Sequence, residues 1–324
     1  MDIRKEFSQR LVTIIQKELN GIEPRFKDEI LSVLRNRGVE PDSTPLDFHL
    51  YYAFWLSKYF DIPRKEEVVD ELTKFMFWFG HHIFTQDDLI DQEFSQQGFS
   101  QEDFYKNIIY SDYFLLKASL ILNEFLEKSS LNFGKDILKI YGDYIHCLLW
   151  EKDHMRSMGA YTEDDVRLLG KKFSPLKIHN LVFTYLSPNK ANFEHLNNLD
   201  LFLENYHVSM QIIDDIKDWK DDLKNKNFSF FLMEVIQSYN MFEKLNDIEE
   251  FERIIYYSDI TVNTAKKSLY YLNIARSNIS DMQNIYLNEF IREVERVIES
   301  IILNQEIKRE NMINKISQIL SVAV

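Results

Sequence analysis

Apolar residues return every three or four positions along nearly the whole chain, the period of helices that bury one face. The pattern predicts helices near 3–19, 25–37, 46–60, 65–92, 102–127, 131–157, 162–186, 190–220, 228–244, 247–257, 260–278 and 283–318. Gly21 and Pro24, the Gly38–Pro45 stretch, Pro63, Gly98, Gly159 and Pro188 fall between most of them, where helix breakers belong. Asp103, Thr162 and Asp259 stand where an N-cap or a first-turn acid would. Strand-like alternation is short, and there is no internal repeat, low-complexity tract or long linker. The expectation is an all-α chain, with residues 1–324 forming a single helical domain.

The breakers are unevenly spread. The last of eight glycines is Gly170 and the last of six prolines is Pro188. Beyond them the chain is rich in Ile, Leu, Phe and Tyr, which argues against disorder and for a tail that is almost wholly helical. No GxGxxG or GxxxxGK[ST] loop occurs, so any phosphate must be held by other means. The formal net charge of −14 disfavours nucleic acid as a general partner. An acidic protein can still meet a polyanion where divalent cations stand between them. The one cysteine, Cys147, leaves no disulfide within the chain and fits a reducing compartment. No signal peptide and no run of about 20 apolar residues is visible, so the expected location is the cytoplasm and no membrane span is expected.

Two acidic clusters change the picture. The first is Asp87-Asp88-Leu89-Ile90-Asp91, after the strongly apolar segment 75–79. On a helix Asp87 and Asp91 share a face, and like charges at that spacing repel. A buried helix that ends in stacked carboxylates calls for a cation, and hard divalent ions with oxygen ligands are the natural candidates. The second runs from Gln211 through Asp214, Asp215 and Asp218 to Asp222, with Asp214, Asp218 and Asp222 repeating every four residues. Lys217 and Lys220 lie nearby, but neither stands as an ordered i,i+4 partner.

In this order and at this separation, the two clusters resemble the class I isoprenoid synthase superfamily, whose pattern is a first DDxxD and a later QxxDDxxD. The group includes trans-prenyl diphosphate synthases, class I terpene cyclases and squalene/phytoene-type synthases. The resemblance implies the α-helical terpenoid synthase fold around a central cavity, with Asp87, Asp88, Asp91, Asp214, Asp215 and Asp218 as catalytic acids. It further implies Mg²⁺, three ions in this family, held by Asp87, Asp91, Asp214, Asp218 and Asp222 against a prenyl diphosphate. Lys172, within Gly170–Lys177, stands in the register of the family's Lys-Thr pair. Arg167, Lys177, Lys226 and Gln211 complete the expected diphosphate contacts. Phe77, Trp78, Phe84, Phe183, Tyr206 and Trp219 are candidate cavity walls, since apolar surroundings exclude water and aromatic faces stabilise cations. Homodimers are common in the family.

The chain departs from elongating synthases in two places. Ser95-Gln96-Gln97-Gly98 replaces the usual arginine pair, and Leu34-Arg35-Asn36-Arg37-Gly38 lacks the glycines and lysine of the stretch that binds isopentenyl diphosphate. The leading expectation is therefore a terpene synthase, a lyase that ionises and cyclises geranylgeranyl or farnesyl diphosphate. Prenyl diphosphate synthesis and head-to-head squalene/phytoene-type coupling are the alternatives. A silent helical protein that uses its acids to bind a metal or a partner is the rival from another class. His81 and His82 point about 100° apart on a helix and make a poor zinc pair. Cys147 reads as a buried small hydrophobe, and Glu151, Asp153 and His154 read as a polar helical patch, on the surface or, as the alternative, standing behind the site. Neither HExxH nor GxSxG occurs.

Overall fold

The structure, a computed structural model, describes residues 5–36, 48–91, 101–187 and 193–322, a few at helix ends by backbone alone. In chain order the helices are α1 Lys5–Asn20, α2 Lys27–Asn36, α3 Phe48–Ser57, α4 Lys65–Asp91, α5 Gln101–Lys128, α6 Gly134–Ser157 and α7 Glu163–Leu169. After a 3₁₀ segment at Gly170–Leu176 come α8 Lys177–Leu186, α9 Phe193–Asn225, α10 Phe230–Tyr239, α11 Ile248–Tyr257, α12 Ile260–Asn278 and α13 Ile285–Val322. Two further 3₁₀ turns, Phe242–Lys244 and Ser280–Met282, join the later helices. The fold is all-α, and no strand occurs among the described residues. Contacts group the chain into two compact units, Met1–Leu138 with Ile178–Phe193, and Lys139–Lys177 with Glu194–Val324.

In the first unit α4 packs against α1, α3 and α5. Residues Phe75 to Phe79, then His81 and His82, are all buried. Successive helical residues turn by about 100°, so such a run covers the whole circumference and α4 is a core helix, as its apolar sequence predicts. Trp78 stacks on Phe114 of α5 at 5.8 Å between ring centres, while its indole N–H donates to Glu18 of α1 at 2.8 Å. Arg10 of α1 reaches Asp70 of α4 at 2.7 Å, and the buried Tyr52 hydroxyl donates to Asn180 at 2.7 Å.

In the second unit α9 and α12 are pinned by a buried pair of serines. The Ser209 and Ser268 hydroxyls lie 2.9 Å apart, and Ser268 also donates to the Ser209 carbonyl at 2.8 Å. Gln305 of α13 donates to the carbonyls of Ile255 and Tyr256, 2.8 Å each, at the end of α11. Carbonyls of a last helical turn have no partner within their own helix, and here a side chain supplies one.

The helix predicted over 162–186 is three pieces. Pro175 inside it has no N–H to donate, and the backbone tightens to 3₁₀ over Gly170–Leu176. Gly170 is required there by close approach, because a Cβ would sit 2.7 Å from the Glu204 carbonyl oxygen. Thr162 does cap α7, with a full capping box to Asp165. Asp259 occupies the N-cap of α12 but makes no side-chain capping bond. The tail is helical as its composition demands, yet its breaks are not made by glycine. Lys226, Asn240 and Gln283 turn the chain with φ of 58°, 50° and 47°. The helix predicted to stop at 220 therefore runs on to Asn225, and the one predicted to reach 244 stops at Tyr239.

Candidate active site

The first acidic cluster closes α4. Asp87 and Asp88 are half-buried in its last turns, one Asp87 oxygen is shielded from solvent, and Asp91 is the final helical residue, with its side chain outside the described set. Below them a polar bridge ties α4 to α5: His82 Nδ1 lies 2.8 Å from the Ser111 hydroxyl, and the Gln86 amide donates to that hydroxyl at 3.0 Å. Burial pushes the His82 pKa below its usual value, with the Ser111 backbone and Asp112 opposing.

The second cluster lies toward the end of the 33-residue α9. Each four-residue step advances about 40° round a helix, so the stripe from Asp214 to Asp222 winds from one environment into another. Asp214 is exposed and pairs with Lys217 at 3.2 Å, a basic partner at i,i+3. Asp218 is also exposed. Asp222 is half-buried and accepts the Ser229 hydroxyl at 2.6 Å. Asp215 is buried and accepts the Gln211 amide at 2.9 Å. Seven residues return to within about 20° of the same face, so Asp215 and Asp222 stack two turns apart. Desolvation, then the charge of Asp222, raises Asp215 to a pKa of about 8 against the Gln211 bond, with Glu151 adding to the rise. Desolvation raises Asp222 to about 7, opposed by Ser229 and reinforced by Asp218. Asp218 is also pushed up, by desolvation and then by Asp214.

The basic candidates divide sharply. The Lys172 ammonium lies 2.8 Å from Glu151, both side chains being largely buried at 14% and 3% exposure. Lys177 is buried and pairs with Glu204 at 2.5 Å. Arg167 sits on the surface 3.5 Å from Glu163, and Lys226 is exposed just past α9. Tyr161 donates to the Phe228 carbonyl at 3.1 Å, and burial lifts its phenol above the usual range. The Phe228 N–H donates to the Met155 carbonyl at 2.9 Å, holding the turn after α9 against α6.

Glu151 corrects the sequence reading. Expected with Asp153 and His154 as a surface patch, it is 2% exposed. It continues the buried stripe Tyr144, Cys147, Leu148 on α6, at the i, i+3, i+4, i+7 register of a core face. That register was the available signal. Asp153 is exposed as expected, while His154 is half-buried and stacks on Trp150 at 4.9 Å. Cys147 is buried, and its Sγ lies 3.0 Å from the Leu168 carbonyl. Among the wall candidates Phe77, Trp78, Phe183, Tyr206 and Trp219 are buried, whereas Phe84 is 43% exposed, its ring edge-on to His49. The stretch 95–98 and residues 37–38 lie outside the described residues, while Leu34 is buried and Arg35 exposed at the end of α2.

All the acids offer hard oxygen donors, the donor type of Mg²⁺. No group of three His, Cys, Asp or Glu side chains among the described residues converges as a preformed metal cage.

No family model and no curated protein matches the chain in sequence. Solved structures do match. A heptaprenyl diphosphate synthase from Staphylococcus aureus aligns over 92% of this chain and 98% of its own, with TM-score 0.71 and 14% identity. A decaprenyl diphosphate synthase from Rhodobacter capsulatus gives TM-score 0.69 at 12% identity over 92% and 98% of the two chains. A geranylgeranyl pyrophosphate synthase from Corynebacterium glutamicum, complexed with calcium and isoprenyl diphosphate, gives 0.64 at 15% identity over 92% and 96%. The chain has the all-helical fold of the trans-prenyl diphosphate synthases.

Proposed function

We propose that this protein is a Mg²⁺-dependent prenyltransferase that joins an allylic prenyl diphosphate to a second isoprenoid diphosphate, the whole of residues 1–324 acting as one class I isoprenoid synthase-like domain. The observation that carries this reading is the likeness to prenyl diphosphate synthases over nine-tenths of the chain. It moves the balance away from cyclisation, the leading expectation from sequence. The sequence departures at 95–98 and 34–38 that favour cyclisation still stand, and the product assay below decides between the two readings.

The allylic C–O bond breaks, diphosphate leaves, a C–C bond forms to the acceptor alkene, and a proton is lost. Mg²⁺ held by Asp87, Asp91, Asp214, Asp218 and Asp222, with Asp88 and Asp215 as further catalytic acids, would neutralise charge on the departing diphosphate. Lys172, with Gln211, Lys177, Arg167 and Lys226, would hold that diphosphate. Phe77, Trp78, Phe84, Phe183, Tyr206 and Trp219 would keep water from the allylic carbon and offer ring faces to its positive charge.

The test is product analysis with Mg²⁺ and a panel of prenyl diphosphates, with and without isopentenyl diphosphate. Longer diphosphates that form only with the acceptor support the proposal. A hydrocarbon or alcohol made from one substrate alone would establish cyclisation, the second reading, which the sequence at 95–98 favours. Release of no diphosphate from any substrate would refute both. The protein is further proposed to be a cytoplasmic homodimer. On α5, Tyr105, Ile109, Leu116 and Leu120 are more than half exposed, on the side away from the buried Ser111, Phe114 and Ala118. No helix is long and apolar enough to cross a membrane among the described residues.

A further inference from the structure

Glu151 occupies a core position on α6 where an apolar residue would complete the stripe. A buried ion pair is seldom more stabilising than a well-packed apolar pair, so stability alone gives little reason for a carboxylate there. Its partner is Lys172, 2.8 Å away, carried on the 3₁₀ segment. That segment is fixed at its start, since Gly170 seats directly against the Glu204 carbonyl and Cys147 Sγ meets the Leu168 carbonyl. The frame holds the backbone, and Glu151 holds the tip of the side chain. On α9, Asp215 accepts from Gln211 and Asp222 from Ser229, and the Glu151 charge is felt at Asp215 and at Tyr161. Glu151 raises the proton affinity of Asp215, so these carboxylates lie within electrostatic reach of one another. An ammonium without a fixed counter-ion in such surroundings would turn to the second acidic cluster and compete there for the cation.

We propose that Glu151 is a positioning residue: its ion pair directs the Lys172 ammonium at the diphosphate and away from the α9 carboxylates. The inference rests on the reading of Lys172 as a diphosphate ligand and adds the residue through which that ligand is set. It reverses a simple electrostatic expectation. Removing a bystander carboxylate from an anion site strengthens anion binding, whereas removing the anchor of the binding lysine weakens it.

The test is calorimetric titration of the full chain with inorganic pyrophosphate in Mg²⁺, alongside KM and kcat for the allylic diphosphate. Glu151→Gln should weaken pyrophosphate about tenfold or more, in the range found when an outer partner of a binding group is lost. KM should rise by a similar factor, and Glu151→Asp should recover part of the loss. In a Lys172→Met background Glu151→Gln should weaken binding no further, because coupled residues do not add. Pyrophosphate binding by Glu151→Gln as tight as wild type or tighter, or equal loss in both backgrounds, would overturn the positioning role. Wild-type affinity in Lys172→Met would instead overturn the reading of Lys172, and with it this inference. A wild-type chain that binds no pyrophosphate in Mg²⁺ would remove both.

Discussion

The two acidic clusters share one spacing and little else. On α4 the acids follow a stretch, Phe75 to His82, that is buried on every side, and Asp87 and Asp88 are themselves half-buried. On α9 the acids are internal, and the winding of the helix sorts them. Asp214 and Asp218 face solvent, while Asp215 and Asp222 share a drier face and are pushed to pKa values of about 8 and 7. A DDxxD pattern therefore specifies which residues follow one another, whereas the face each one occupies depends on what the rest of the helix buries.

The largest test of the pairing is turnover. Asp87→Ala and Asp214→Ala should each lower prenyl transfer by on the order of 10²–10³-fold or more, the scale of losing a preorganised charge-stabilising group. Circular dichroism should show unchanged helix content in both. Full activity in either variant would break the symmetry assumed between the clusters.

The difference in burial can be read from pH. Asp215 and Asp222 hold protons more tightly folded than unfolded, so their contribution to stability is complete below the unfolded carboxylate range. It is lost as pH rises through about 7 to 8. The metal-free melting temperature should fall between pH 5 and 8.5, and Mg²⁺ should oppose the fall at the alkaline end by binding the ionised form. Asp215→Asn should flatten the profile, and an unchanged slope would mean the carboxylate is hydrated in solution.

Two glycines sharpen the contrast between the units. A Cβ at Gly170 would meet the Glu204 backbone at 2.7 Å, whereas one at Gly80 would meet the His49 ring at 2.9 Å. Backbone cannot step aside as a side chain can. Gly170→Ala should cost about 1–3 kcal/mol in chemical denaturation, the usual overpacking range, and Gly80→Ala less. Smaller still in stability terms is Leu116→Glu on the exposed face of α5. It should leave the denaturation midpoint within about 0.5 kcal/mol and shift the sedimenting species from dimer to monomer. A wild-type monomer would remove the dimer reading.

Much of this was legible in the residues. Apart from the break between α7 and α8, the described helices followed from the three-to-four spacing, and the core status of α4 followed from Phe75–Phe79. Three features were not. The 3₁₀ segment depends on Gly170 meeting α9, a tertiary contact that no local pattern records. The sorting of Asp214 from Asp215 depends on which side of α9 is covered, and the alternation of acids and apolar residues there allows either face. The burial of Glu151 was written in the register of Tyr144, Cys147 and Leu148, but a charged residue next to Lys152 and Asp153 reads as surface until its partner is known.

The glycine-free tail has a practical side. At Asn240 and Gln283 the backbone adopts a left-handed conformation with an ordinary side chain in place, the more strained case being glutamine. These corners are low-risk entry points for thermostabilising engineering. Gln283→Gly should relieve the clash at a modest entropic cost in the unfolded chain, and raise heat tolerance by up to about 1 kcal/mol of folding free energy.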